Sequence, residues 1–443
     1  MRKEPMSLAR TYRWTLMLAA GIALAPATGH ASCSVTEADK DGNGTVDLRL
    51  VGDASKQNAI VEMRQAGYLA KVDCNGNGSY TDGGDIVKSG SATIETYSIE
   101  LAGGDVISVL QTEDLSGASK NVVLTLGAGG NKVTFATQGF GLLAGSNLGI
   151  EFLGSTAAEN VTLDFTGSTI ASSAVFIRGD VSSGNDTVKI IGAANTTFSV
   201  VDAVVNLGSE NNNFFYIDGG GAITGSTLNV HAEGGDVTSQ YDVFNTTFSG
   251  QIQDGSRVYV DLNLRAGNDR YFGNFDISSF GVDPLSSGSS EAFFRARGGT
   301  GADQMTVSDM SKVGPATVNG LLSVSLDGGN QADKMTLTWN GLKGSGQLRV
   351  LEDGGVAYDS AKATIVTDAS STNDFDVNLQ GGAENDLGSP GGDTVILSLT
   401  DQGAATYGVT GAAVLDGGLD GIDTCTFTGT GIRQAMNCEA GIF

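Results

Sequence analysis

The feature that most limits what this chain can fold into is a repeating unit: an alternating apolar strand, a glycine-rich turn carrying Asn or Asp, then a second apolar strand. Val122, Leu124 and Leu126 lead through Gly129-Gly130-Asn131 to Val133 and Phe135. Val324 and Leu326 lead through Asp327-Gly328-Gly329 and Asp333 to Met335 and Leu337. Near the C-terminus, Leu415-Asp416-Gly417-Gly418 with Asp420 and Asp423 restates the unit. Apolar groups at every second position give a strand one buried side, as in Val161, Leu163 and Phe165, in Val258, Val260, Leu262 and Leu264, and in Val395, Leu397 and Leu399. Tyr259 is an amphipathic exception on the polar side.

Turn aspartates fall at Asp186, Asp236, Asp269, Asp303, Asp333, Asp393 and Asp423, at steps of 50, 33, 34, 30, 60 and 30 residues. All but the first step are close to one or two lengths of a thirty-residue unit, which holds two or three short strands, one circuit of a parallel β-helix. The expected fold is therefore all-β, a right-handed parallel β-helix (solenoid) with its body over 86–414 and a repeat-like, disulfide-closed unit over 415–443. A tandem β-sandwich is the alternative. It needs about seven strands per hundred residues in separately cored domains, and no tryptophan-centred core or proline-marked linker divides the chain in that way.

With 65 Gly, only 5 Pro and 40% hydrophobic residues, the chain can bury a continuous interior while turning often. Residues 1–31 carry Arg2, Lys3, Arg10 and Arg13, an apolar stretch over 16–26 and a small-residue exit at Gly29-His30-Ala31, the pattern of a secretory signal cleaved after Ala31. Cys33 raises a lipoprotein alternative, which His30-Ala31-Ser32 fits poorly. No further apolar run has the length of a membrane span. Loss of four of the 25 basic residues and one of the 50 acidic ones takes the net charge from −25 to −28. Such a surface repels nucleic acid, anionic lipid and uronate polymers. Cys33 with Cys74 and Cys425 with Cys438 is the pairing that closes local loops, one of three connectivities open to four cysteines.

The region over 32–85 contains two acidic loops. One runs through Asp39, Asp41, Asn43, Gly44 and Asp47, the other through Asp73, Asn75, Asn77, Gly78 and Asp82. Oxygen-bearing side chains at alternate positions with Gly at the sixth are how an EF-type loop turns its ligands onto Ca²⁺. Leu50 and Gly84 stand where that loop has its twelfth-position Glu. The same residues also suit Asx turns capped by their own side chains. Over 59–72, between the loops, the pattern fits a strand or a short helix.

Several turns resemble the repeats-in-toxin calcium-binding family, whose nonapeptide is Gly-Gly-x-Gly-x-Asp-x-apolar-x. The nearest are Ala266-Gly267-Asn268-Asp269, Gly298-Gly299-Thr300-Gly301-Ala302-Asp303-Gln304-Met305 and Gly417-Gly418-Leu419-Asp420-Gly421-Ile422-Asp423-Thr424. Ser182-Ser183-Gly184-Asn185-Asp186 and Gly391-Gly392-Asp393 match in part. Asp423-Thr424-Cys425 with Asn437-Cys438-Glu439 is similar to the cysteine-closed terminal unit of many secreted proteins bearing such repeats. The resemblance implies Ca²⁺ held between coils, with Asp269, Asp303, Asp333, Asp393, Asp420 and Asp423 as ligands beside the N-terminal loop residues. Where the units are not contiguous, a turn aspartate instead caps backbone amides.

No catalytic set stands out. His231 is the one histidine beyond the signal and is expected at a strand end, while Arg295 and Arg297 are expected to pair with local acids. The function expected is a secreted or cell-surface, calcium-binding, adhesin-like protein. It would be a monomeric rod without a membrane span, contacting cell-surface or matrix carbohydrate or protein and no nucleic acid. A polysaccharide hydrolase or lyase on a β-helix is the alternative, although the many acids single out no pair.

Overall fold

Period-2 strands joined by short turns have two ways to bury their apolar sides: pairing back on themselves, or stacking lap on lap. This chain stacks. The computed structural model describes residues 32–39, 44–209, 212–237, 241–281, 290–308, 319–367, 374–382, 393–400, 413–416, 424–429, 433–436 and 440–442. No helix occurs among them, so none is long and apolar enough to cross a membrane.

Two sheets of 15 and 21 strands run the length of a β-solenoid. In the first, sheet A, successive laps pair parallel and residue for residue, for example Asn147–Leu153 on Ala174–Asp180 and Arg257–Asn263 on Glu291–Thr300. In the second, sheet B, Lys132–Ala136, Asn160–Asp164, Thr187–Ile191 and Phe214–Asp218 stack in the same way. Short corner strands Leu115–Ser116, Leu142–Leu143, Thr169–Ala171, Asn195–Thr197 and Ala222–Thr224 give the early laps a third side. Val243–Gln253 absorbs that corner, pairing along its length with both Phe214–Asp218 and Ala222–Thr224 of the lap below. Parallel pairing throughout the body excludes the sandwich alternative.

Antiparallel pairing is confined to the N-terminal end among the described residues. Ser34–Ala38 pairs with Val46–Val51, and Asn58–Met63, Tyr68–Asp73 and Ile86–Gly90 form a meander. The undecided stretch over 59–72 is thus a hairpin. The disulfide Cys33–Cys74 ties this meander to the first strand, with Cα atoms 5.8 Å apart. Cys425 is also disulfide-bonded, and Cys438 lies outside the described residues.

Inward columns form the core. Val161, Leu163, Val258, Leu262, Leu264, Val395 and Leu397 are all fully buried, each contributing roughly 1.5–3 kcal/mol of burial. The aromatic residues Phe248, Phe275, Phe294 and Trp339 pack against one another as an interior cluster. Parallel in-register stacking brings identical positions of each lap together, so any position that is polar in every lap becomes a polar column.

Candidate functional site: a buried acidic column and a paired outer face

One such column lies at the corner just before sheet B. The residues preceding its strands are Gln57, Asp105, Asn131, Glu159, Asp186, Asn213, Asp242, Asp269, Asp303, Asp333, Asp359 and Asp393, aligned by the strand registers. Every one is buried and bears a carboxyl or a carboxamide. The backbone N–H of one rung donates to Oδ1 of the next: Asp242 to Asp269 at 2.6 Å, Asp269 to Asp303, Asp303 to Asp333, Asp333 to Asp359 and Asp359 to Asp393 each at 2.7 Å. Gln57, Asp105, Glu159, Asp186 and Asn213 do the same to the rungs above them. At this corner the chain turns away from the ladder, and the side chain supplies the acceptor that the next lap's backbone does not.

Asp236 is not a rung. It is exposed and pairs with Arg265 at 3.1 Å. Asn213 and Asp242 take the column through that stretch in steps of 27, 29 and 27 residues, which resolves the irregular 50-residue step of the sequence.

The second side-chain atom divides the rungs. Asn131 donates Nδ2–H to the carbonyls of Gly127 and Gly129 at 2.9 and 2.8 Å. Asp105 and Asp242 receive N–H of Gly103 at 3.0 Å and Gly235 at 2.7 Å on Oδ2. In Asp186, Asp269, Asp303 and Asp333, Oδ2 is buried with no hydrogen-bond partner. Burial accordingly drives these carboxyls upward, Asp269 to about 8, Asp303 to about 7 and Asp333 to about 9. Asp186 shifts in the same direction for the same reason. Asp303 Oδ2 lies where a Cβ on Gly298 would approach to 2.3 Å, and Asp333 Oδ2 where one on Gly328 would approach to 2.5 Å, so the first glycine of the turn makes room for the carboxyl. A serine column at another corner works similarly: Ser173, Ser199 and Ser226 donate N–H to Oγ of Ser199, Ser226 and Ser256.

The acids named from the turns therefore separate. Asp269, Asp303, Asp333 and Asp393 are rungs, each accepting from the lap below; Asp420 and Asp423 lie outside the described residues. Of the first loop, Asp39 accepts N–H of Gly44 at 2.9 Å, Asp47 is buried in its strand, and Asp41 and Asn43 lie outside the described residues. In the second loop, Asp73 Oδ1 accepts from Gly76 and Asn77, and Oδ2 from Gly78 and the Asn58 amide, which uses its lone-pair sites. Asn75 Oδ1 accepts N–H of Asn77, and Asn77 Nδ2 donates to Asp82 at 2.6 Å. Gly44 and Gly78 have φ of +86° and +89°, as a sixth-position turn requires. Among the described residues, no three His, Cys, Asp or Glu side chains converge as a metal-ligand group.

The outward side of sheet A carries charge in cross-lap pairs. Arg178 meets Asp202 at 2.5 Å, Arg297 meets Asp261 at 2.9 Å, and Arg349 meets Asp376 at 3.2 Å. Arg295 reaches Asp327 at 4.0 Å. His231 sits within the strand Thr227–Glu233, not at its end, between Glu233 at 3.1 Å and Asp261 at 3.5 Å. Arg265 closes the group through Glu233 and Asp236. A cavity lined mainly by apolar residues such as Ile170, Ile190, Ile217 and Leu228 has Asp218 as the single titratable residue of its wall and so offers no acid–base pair.

Searches against protein-family profiles, curated proteins and solved structures return no match. The β-solenoid architecture stands on the chain's own geometry.

Proposed function

We propose that this protein is an exported, calcium-stabilised structural and adhesin-like solenoid that works by presenting flat sheet faces to a surface polymer. The observation that carries this is the disposition of charge on sheet A: Arg178–Asp202, Arg297–Asp261 and Arg349–Asp376 pair across laps on an open face. Such pairs keep a face flat and solvated, and groups engaged in this way are poor general acids or bases. Repeated contacts along a stack add by avidity, so weak individual sites suffice for attachment.

Calcium in this reading belongs to the N-terminal loops, whose donors are the hard oxygens of Asp39, Asp47, Asn75, Asn77 and Asp82. Asp73 is filled by N–H donors, so an ion there exchanges with part of that hydrogen-bonding; the buried rungs already have structural work. The alternate oxygen-bearing side chains of these loops, with Gly44 and Gly78 at the sixth position, support calcium binding of this kind. Thermal unfolding with excess Ca²⁺ and with chelator tests it. At free Ca²⁺ of a hundred times Kd, one site adds about 2.7 kcal/mol, and an identical melting temperature in both conditions refutes the calcium part. Retention on immobilised cell-wall or matrix polymers tests the adhesive part.

A further inference from the structure

The outward side of sheet B differs in character from that of sheet A. Gln304–Ser308, Lys334–Leu342, Ser360–Thr367, Thr394–Thr400 and Thr424–Gly429 stack parallel on successive laps. Met305, Val307, Met335, Leu337, Ala361 and Ala363 are buried in the core, so the residues alternating with them face solvent. One outward column reads Ser308, Thr338, Thr364, Ser398 and Thr428. Two residues earlier on each strand stand Thr306, Thr336, Lys362, Ile396 and Thr426, and two before those Gln304, Lys334, Ser360, Thr394 and Thr424. Not one of these positions is acidic, in a chain with 50 acidic residues. Among the described residues, Ser308 is the one hydroxyl of the array bonded to another side chain, to Asn274 at 3.2 Å. The others are open to water.

Spacing and chemistry together decide the ligand. Threonine is stiff at χ1, which leaves its hydroxyl and methyl few orientations from lap to lap. Hydroxyls therefore recur about 4.8 Å apart up a column and about 6.6 Å apart along a strand, intervals close to those between oxygen atoms on a prism face of hexagonal ice. Each hydroxyl donates once and accepts twice, much as a surface water does, and the methyls between them offer water no competing partner. Carboxylates would hold hydration water in a geometry of their own, and the array has none. Small soluble ligands seat in concave sites with convergent polar groups, whereas this array is an open sheet face in unbroken register.

We propose that this face of sheet B binds ice, ordering water on the threonine array into a layer that a growing crystal front joins. Contacts too weak to hold singly add along the five laps. The site is on the other sheet from the Arg–Asp pairs and does not rest on the adhesin-like reading. Lys362 and Ile396 interrupt its middle column, so the array can be improved as well as damaged. In the test, a solution of the full exported chain is frozen slowly onto an ice surface, and the fraction taken into the ice is compared with that of an unrelated soluble protein. The parent should be enriched in the ice. Thr338→Lys sets a strongly hydrated ammonium in the array and should drop incorporation to that of the unrelated protein. Lys362→Thr should raise it, and Ser325→Lys, outward on sheet A, should leave it unchanged. Exclusion of the parent from ice, or equal incorporation of the parent and Thr338→Lys, overturns the proposal. Should Thr338→Lys melt lower than the parent, Lys362→Thr decides, and its failure to raise incorporation overturns the proposal equally. Two other occupants would do the same: a second copy, seen in sedimentation as a dimer that Thr338→Lys splits, or crystalline cellulose, if it retains the parent through these threonines while ice does not.

Discussion

Replacing Asp303 by Asn should make this protein more stable at neutral pH and leave it unchanged in acid. Asp303 is 2% exposed, its Oδ1 accepts N–H of Asp269, and its Oδ2 has no partner. The carboxyl group keeps its proton up to about pH 7 in the folded chain, against about 3.9 when unfolded. A folded-state pKa raised in this way contributes stability that is complete below the unfolded value and is lost as pH climbs through the folded one. The interval is roughly three units, so the rung gives up about 4 kcal/mol between pH 4 and pH 7.5. Asn removes the titration and keeps the shape. Asn131 shows the amide is accommodated: it stands four residues after Gly127, as Asp303 does after Gly299, and its Nδ2 donates to two turn carbonyls.

The assay is melting temperature at pH 4.5 and pH 7.5. The parent chain should melt lower at pH 7.5, since Asp269 and Asp333 titrate in the same direction with folded values of about 8 and 9. Asp303→Asn should recover roughly 4 °C or more of that loss, at one to two degrees per kcal/mol for a chain this long. Asp242→Asn is the control. Its Oδ2 accepts N–H of Gly235, so an amide donor there meets another donor and the variant should lose about 1–3 kcal/mol at both pH values. A destabilised Asp303→Asn at pH 7.5, or equal responses at the two rungs, refutes the reasoning. Below pH 4 the trend reverses. For Asp73, burial raises the pKa, but hydrogen bonds from Asn58, Gly78, Gly76 and Asn77 outweigh it and the net value is lowered. Its contribution is present above the unfolded pKa and disappears as pH falls through the folded one, so stability should peak near the acidic end of the range and not at neutrality.

Two further changes should also stabilise. Glu352 faces inward in the sheet-A column between Leu326 and Leu379, fully buried, and burial lifts it to about 8 against the opposing pull of the Lys362 amide; Glu352→Leu should gain about 1–4 kcal/mol at pH 8, measured by urea midpoint, and a loss at that pH would refute the apolar character of the site. Ala357 has φ of +120° two residues before its rung, where Gly129, Gly184, Gly267 and Gly301 occupy the corresponding place with φ between +113° and +149°. Ala357→Gly should therefore relieve about 1–2 kcal/mol, seen as a raised melting temperature, and a fall would show that the turn is not strained.

The solenoid was legible because its signal is repeated: alternation marks each strand, and Gly-Gly turns mark the lap length. The rungs were legible only where turn glycines advertised them, as with Gly267 before Asp269, Gly298-Gly299 before Asp303 and Gly328-Gly329 before Asp333. Gly129-Gly130 marks Asn131, whereas Asp359 follows Val356-Ala357-Tyr358 and Asn213 follows Asn211-Asn212, so a search for glycine turns passes over both. It also accepts Asp236, which has the glycines but points out to Arg265. What the column selects is an acceptor of fixed length one lap above a backbone N–H, a requirement met equally by Asp and Asn and defined by register between laps, not by neighbours in sequence. The stacked Tyr259–Phe293 ring pair is hidden for the same reason, its members lying 34 residues apart along the chain and directly opposed across it. In a stacked-lap protein the chemistry lies along columns: burial raises the carboxyl pKa of Asp242 as it does that of Asp303, and what separates the two is whether the rung's own turn supplies a donor to Oδ2. That is why Asp242 and Asp303, one position type in one column, should respond oppositely to the same substitution.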